Sequence, residues 1–111
     1  MSTTTVVTAD ELLALPKGMG TRYELVAGEL RVMSPAGWRH GGVAGNIAAL
    51  LGPFIRKNKL GLGFSAETGF LLNRDPDTVR APDYAFIALD RLPSVQPTEA
   101  YWPGAPDLAV E

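Results

Sequence analysis

From His40 to Ile55 the residues His40, Val43, Ala44, Ile47, Leu51, Phe54 and Ile55 recur at three- and four-residue intervals, the period of one face of an α-helix. This is the longest helical pattern in the chain, and the segments around it alternate or run apolar over strand lengths. That combination restricts the fold to a mixed α/β class, a sheet flanked by helices. Gly41, Gly45, Ala48 and Gly52 form a second stripe of small residues beside the apolar one. Glycine costs helix stability relative to alanine, so the pattern predicts a compensating close approach by another backbone, with the helix directly on a sheet. Pro53 is expected to kink the helix near its end, and Arg56, Lys57 and Lys59 suit the negative end of the helix dipole.

Other elements follow from local chemistry. Thr8 and Glu11 have the spacing of a capping box and predict a short helix from about Ala9 to Leu15. Pro16, Gly18 and Gly20 break any pattern after it. Arg22–Val26 and Glu29–Met33 flank Ala27-Gly28 and predict a tight hairpin, with Tyr23, Leu25, Leu30 and Val32 as its apolar positions. Gly61 and Gly63 introduce an alternating strand over Phe64–Leu72, and Val79–Leu89 reads as a second strand with Pro82 tolerated near its start. Asp90–Pro106 reads mostly as loop, and Asp107–Glu111 as a third strand that stops without a turn signal. The expectation is one domain over residues 1–111, incomplete after a core strand, whose missing contacts come from a further segment or a second copy of the chain.

Composition narrows the chemistry. With 111 residues, 46% of them hydrophobic and 20% charged, one core is expected. The absence of cysteine excludes disulfides, thiolate metal sites and cysteine nucleophiles, and fits a cytoplasmic protein. Met1–Val7 lacks the layout of a secretion signal, and no apolar run approaches the roughly 20 residues of a membrane helix. A single histidine leaves zinc hydrolases without ligands, no glycine loop of nucleotide-binding type is present, and Trp38, Tyr84, Tyr101 and Trp102 are too dispersed for a base-stacking platform. The formal charge of −2 argues against a generic nucleic-acid binder unless Arg22, Arg39, Arg56, Lys57, Lys59 and Arg80 share a face.

The carboxylates are the remaining chemical signal. Side chains alternate along a strand, so Asp83 shares a face with Ala81, Ala85 and Ile87, while Glu111 shares one with Asp107 and Ala109. If the two strands are neighbours, Asp83 and Glu111 come side by side, and a Mg²⁺ or Mn²⁺ ion between them relieves their repulsion. Such an ion serves phosphodiester hydrolysis. On the residues alone a plainer alternative stays open, with Asp83 a polar strand-edge residue and Glu111 a solvated terminus. His40 reads as a histidine hydrogen-bonded at the helix entrance or as a phosphate or metal-water contact. Glu24 and Glu67 read first as solvent-facing strand positions and second as helpers of the site.

Taken in order, Leu12-Leu13-Ala14-Leu15-Pro16, Arg22–Leu30, Met33-Ser34-Pro35, Arg39-His40-Gly41, Glu67-Thr68-Gly69-Phe70, Val79–Asp83 and Pro103–Glu111 resemble the Uma family of restriction-endonuclease-like proteins, of the PD-(D/E)XK nuclease superfamily. The resemblance implies a restriction-endonuclease-like mixed sheet and a divalent-metal-dependent endonuclease acting on DNA, with Asp83 and Glu111 as metal ligands. Glu24 and His40 match recurrent polar positions of the family and are carried as catalytic helpers. Family members continue into a Ser-Pro-Ser segment, a helix bearing a site lysine and a closing strand, so a chain ending at Glu111 is expected to lack that lysine. A homodimer or larger self-association is expected if the sheet is incomplete. The alternative is a non-catalytic module that self-associates or binds nucleic acid.

Overall fold

At the start of the chain the Thr8 hydroxyl accepts from the Glu11 amide at 3.2 Å, and the Glu11 carboxylate accepts from the Thr8 amide at 3.1 Å. This reciprocal cap starts helix α1, Ala9–Leu13, which ends short of the expected Leu15. The computed structural model describes residues 6–16, 22–93 and 97–111, so the break expected at Gly18 and Gly20 lies outside the described residues, as does most of Met1–Val7. The strands are β1 (Arg22–Val26), β2 (Glu29–Met33), β3 (Gly61–Ser65), β4 (Phe70–Asn73), β5 (Thr78–Arg80), β6 (Tyr84–Ala88), β7 (Trp102–Pro103) and β8 (Leu108–Val110), with helix α2 over Trp38–Lys57. The architecture is α/β, with two helices and two sheets among the described residues, one of them mixed.

Two compact units result, each assembled from separate stretches of chain. The first comprises Met1–Ser34, Gly69–Arg80 and Ala100–Ala105. Its sheet has the order β2-β1-β5-β4-β7, antiparallel except for the parallel β4–β7 pair. The β1–β2 hairpin falls where the sequence predicts it. Ala27 (φ 50°) and Gly28 (φ 79°) both take positive φ, the turn whose twist matches that of the flanking strands. Leu25 and Val79, opposite each other on β1 and β5, pack with Ala9 and Leu12 of α1 into this unit's core. Asp77, buried in the turn before β5, accepts from the Ala9 amide at 2.8 Å and so ties the start of α1 to the sheet.

The second unit comprises Pro35–Thr68, Ala81–Glu99 and Pro106–Glu111. Its sheet has the order β3-β6-β8, antiparallel throughout, and α2 packs against β3 and β6. Ile55, Tyr84, Ala85 and Ile87 are buried here. Helix α2 runs through Pro53 and closes on Asn58, whose amide and side-chain nitrogen both donate to the Phe54 carbonyl.

Three expectations need correction. The predicted strand over Phe64–Leu72 is two strands in different sheets, β3 and β4, because Glu67 takes φ 74° and turns the chain between them. Likewise Val79–Leu89 divides at Ala81-Pro82-Asp83 into β5 and β6, a proline without an amide hydrogen ending the shared ladder. The glycine stripe of α2 is also not where the sheet approaches. A methyl group added at Gly41, Gly45 or Gly52 would meet nothing within 4 Å. The helix meets its unit through Ala44, Ile47, Leu51 and Ile55 of the apolar stripe, with Ala48 as the one small-stripe alanine beside them, which leaves Val43, Leu50 and Phe54 exposed.

Candidate metal and phosphate site

Strands β6 and β8 pair antiparallel with Tyr84 opposite Val110, so Asp83 and Glu111 each lie one residue beyond the paired segment, at the same end of the ladder. The Asp83 amide donates to the Val110 carbonyl at 2.9 Å and holds that end closed. At the other end the Asp107 carboxylate accepts from the Ala88 amide at 2.7 Å and pairs with Arg91 at 3.0 Å. The Ala88 amide is the main reason the Asp107 carboxyl lies below the usual carboxylate range; partial burial opposes it and Arg91 adds to it. Both ends of a three-residue strand are therefore anchored, and Glu111 directly follows Val110, the anchor at the Asp83 end.

Helix α2 supplies the facing wall. Its first turn brings His40 Nε2 to 3.0 Å from Asp83 Oδ1, an ion pair when the imidazole is protonated and otherwise a hydrogen bond if Nε2 carries the proton. The Asp83 side chain is 27% exposed, so its carboxylate is open to solvent while held from one side. Arg39, His40, Val43, Ala44, Ile47, Asp83, Val110 and Glu111 line one cleft of about 460 Å³, all of them in the second unit. Two carboxylates, one imidazole and one guanidinium thus share a cleft whose remaining walls are aliphatic.

The other sequence candidates are not among the residues lining this cleft. Glu24, on β1 of the first unit, is only 5% exposed and pairs with Arg80 at 3.3 Å, so it is not the solvent-facing strand residue the alternation suggests. Its partner is more than fifty positions away in sequence, and no local signal announces it. Glu67 is exposed but stands in the turn after β3, not in a strand. Of the six basic residues singled out, Arg39, Arg56, Lys57 and Lys59 belong to the second unit and Arg22 and Arg80 to the first. Arg39 stands in the sequence as one of these charges and in the Arg39-His40-Gly41 piece of the family pattern, with no role attached; its place in the cleft with the two carboxylates depends on the β6–β8 pairing.

No group of three or more His, Cys, Asp and Glu side chains is arranged to hold a metal among the described residues. The donors on offer are therefore a pair of hard carboxylate oxygens open to water. That fits Mg²⁺, which is commonly held by one or two carboxylates and keeps several waters. It does not fit zinc, which needs a fuller nitrogen or sulfur set.

A family profile described as Uma2, "Putative restriction endonuclease", matches residues 9–111. The chain belongs to the Uma2 family. The match runs through both units and includes Asp83, Glu111, His40 and Arg39. No curated protein matches the chain. Among the described residues no helix is long and apolar enough to cross a membrane.

Proposed function

We propose that this chain carries the metal-binding carboxylates of a divalent-metal-dependent endonuclease that hydrolyses DNA phosphodiester bonds. The observation behind this reading is that Asp83 and Glu111, from two strands distant in sequence, line the same cleft of a Uma2-family chain. Asp83 and Glu111 would hold Mg²⁺ or Mn²⁺. When bound, such an ion polarises a phosphoryl oxygen and lowers the pKa of a water molecule at the phosphorus. His40 braces Asp83: a ring held at 3.0 Å from one carboxylate oxygen leaves the second oxygen for the ion and restricts the side chain's rotation. Glu24, carried from the sequence as a helper, is the buried partner of Arg80 and is not among the residues lining the cleft.

Cationic groups on α2 favour a polyanionic substrate despite the net charge of −2. Arg39 and Lys57 are about five helical turns apart and so project from the same side of α2, spanning roughly 27 Å, the scale of several backbone phosphates. Self-association is the second part of this reading, supported by exposed Val43, Leu50 and Phe54 on the same helix. A cytoplasmic setting fits a chain without cysteine.

Calorimetric titration with Mn²⁺ tests the centre directly. The parent is expected to bind saturably, Asp83→Asn and Glu111→Gln to lose that binding, and His40→Ala to retain it about 10-fold weaker, the usual penalty for losing a group that orients a ligand. Equal binding by parent and Asp83→Asn would remove Asp83 from the metal site.

A further inference from the structure

We propose that Arg39 grips a backbone phosphate next to the Asp83–Glu111 pair, making it the anion-contacting residue of the cleft; this rests on the metal-centre reading above. Two carboxylates repel a phosphodiester, and a single divalent cation at most neutralises them. A substrate phosphate therefore needs another positive group within reach. Arg39 is the guanidinium that lines this cleft. It stands in the first turn of α2, which contains no acidic residue, and it has no ion-pair partner among the described residues. Two other arginines are committed, Arg80 to Glu24 and Arg91 to Asp107. Arg56 and Lys57 are at the opposite end of the helix.

The chemistry suits a phosphate in particular. A guanidinium presents a planar fork that donates two parallel hydrogen bonds to phosphate oxygens, which fixes orientation as well as charge. Val43, Ala44, Ile47 and Val110 supply the aliphatic part of the cleft and offer a phosphate no competing charge. The start of α2 adds unsatisfied amides and the positive end of its dipole, a secondary contribution of the same sign. Arg39 thus binds and positions the phosphate, whereas Asp83 and Glu111 hold the ion.

The test compares parent, Arg39→Ala, Arg39→Lys and Arg31→Ala in Mn²⁺, using fluorescence anisotropy with a fluorescein-labelled, phosphorothioate-linked single strand of roughly 12 nucleotides. Arg31 is exposed on β2 in the other unit, so its removal controls for the loss of one positive charge. Arg39→Ala is expected to weaken binding about 10-fold or more and to reduce the salt slope by about one. Arg39→Lys, which keeps the charge but not the fork, should recover part of the affinity, and Arg31→Ala should stay within about twofold of the parent. Mn²⁺ calorimetry and thermal melting on Arg39→Ala should match the parent, which a merely structural role would not allow. Equal oligonucleotide affinity in parent and Arg39→Ala, or no binding by either, overturns the proposal. Loss of oligonucleotide binding with no Mn²⁺ binding in any variant supports Arg39 as the anion contact and refutes the metal centre alone.

Discussion

Asp77 shows how much of this fold depends on one carboxylate. The Ala9 amide donates to it at 2.8 Å and the Asp75 amide at 3.2 Å. The Ala9 amide is the largest influence lowering its pKa; burial pushes the other way, and the Asp75 amide and the charge of Arg74 lower it further. A carboxyl whose folded pKa lies below its unfolded value stabilises the fold fully above the unfolded value and loses that contribution as pH falls through the folded one. Asp107 has the same sign of shift, from its own backbone donor, Ala88. Stability should therefore decline on acidification below about pH 4. Asp77→Asn keeps an acceptor oxygen but no charge. It should be less stable than the parent at neutral pH, with the gap closing as pH falls through the lowered pKa of Asp77 in the folded protein. Urea midpoints at several pH values check this, and a gap that stayed constant would mean the charge at Asp77 is not what the fold uses.

Elements were legible in the sequence where their cause is local. The Thr8–Glu11 cap and the Ala27-Gly28 turn depend on residues within a few positions of each other, and both stand where expected. Strand boundaries failed where one extended run serves two sheets, because β3 and β4, or β5 and β6, look continuous until the partners are known. Glu67 carries no warning, since a left-handed backbone at a glutamate has no composition signal, whereas Pro82, which lacks an amide hydrogen, is a breaker visible in the sequence and separates β5 from β6. For the site, strand alternation put Asp83 and Glu111 side by side only on the condition that their strands are neighbours, and the β6–β8 pairing meets that condition. Neither the burial of Glu24 nor the location of Arg39 could be reached that way, since each depends on a contact across distant segments. The hairpin also contains a defect that can be repaired. Ala27 occupies φ 50°, where an L-residue with a Cβ is penalised by about 1–2 kcal/mol and asparagine is better tolerated. Ala27→Asn should raise the urea midpoint, by about 0.5–1 kcal/mol of stability, with an unchanged m-value. A lower midpoint would show that the alanine methyl packs productively in the turn.

At the scale of the whole molecule two surface properties of α2 pull in opposite directions with salt. Val43, Ile47, Leu50 and Phe54 are spaced four, three and four residues apart, the seam spacing of helices that pack in pairs, yet Leu50 is 75% exposed and Phe54 57%. The same helix carries Arg39, Arg56 and Lys57 and no Asp or Glu, so two copies meeting along it bring like charges together. If the copies associate as proposed, apolar contact would draw them together while Coulomb repulsion opposed it, and only the repulsion is screened by salt, with a Debye length of about 10 Å at 0.1 M. Self-association measured by sedimentation should therefore strengthen between about 50 mM and about 300 mM salt. DNA binding, in which cations replace the counterions of phosphate, should weaken over the same range. Replacing Leu50 and Phe54 together with glutamine should abolish the association while leaving the DNA salt slope unchanged, because neither residue carries charge. If association instead weakens with salt, oppositely charged groups hold the copies together, and the contact must lie away from α2, which has no negative charge to contribute.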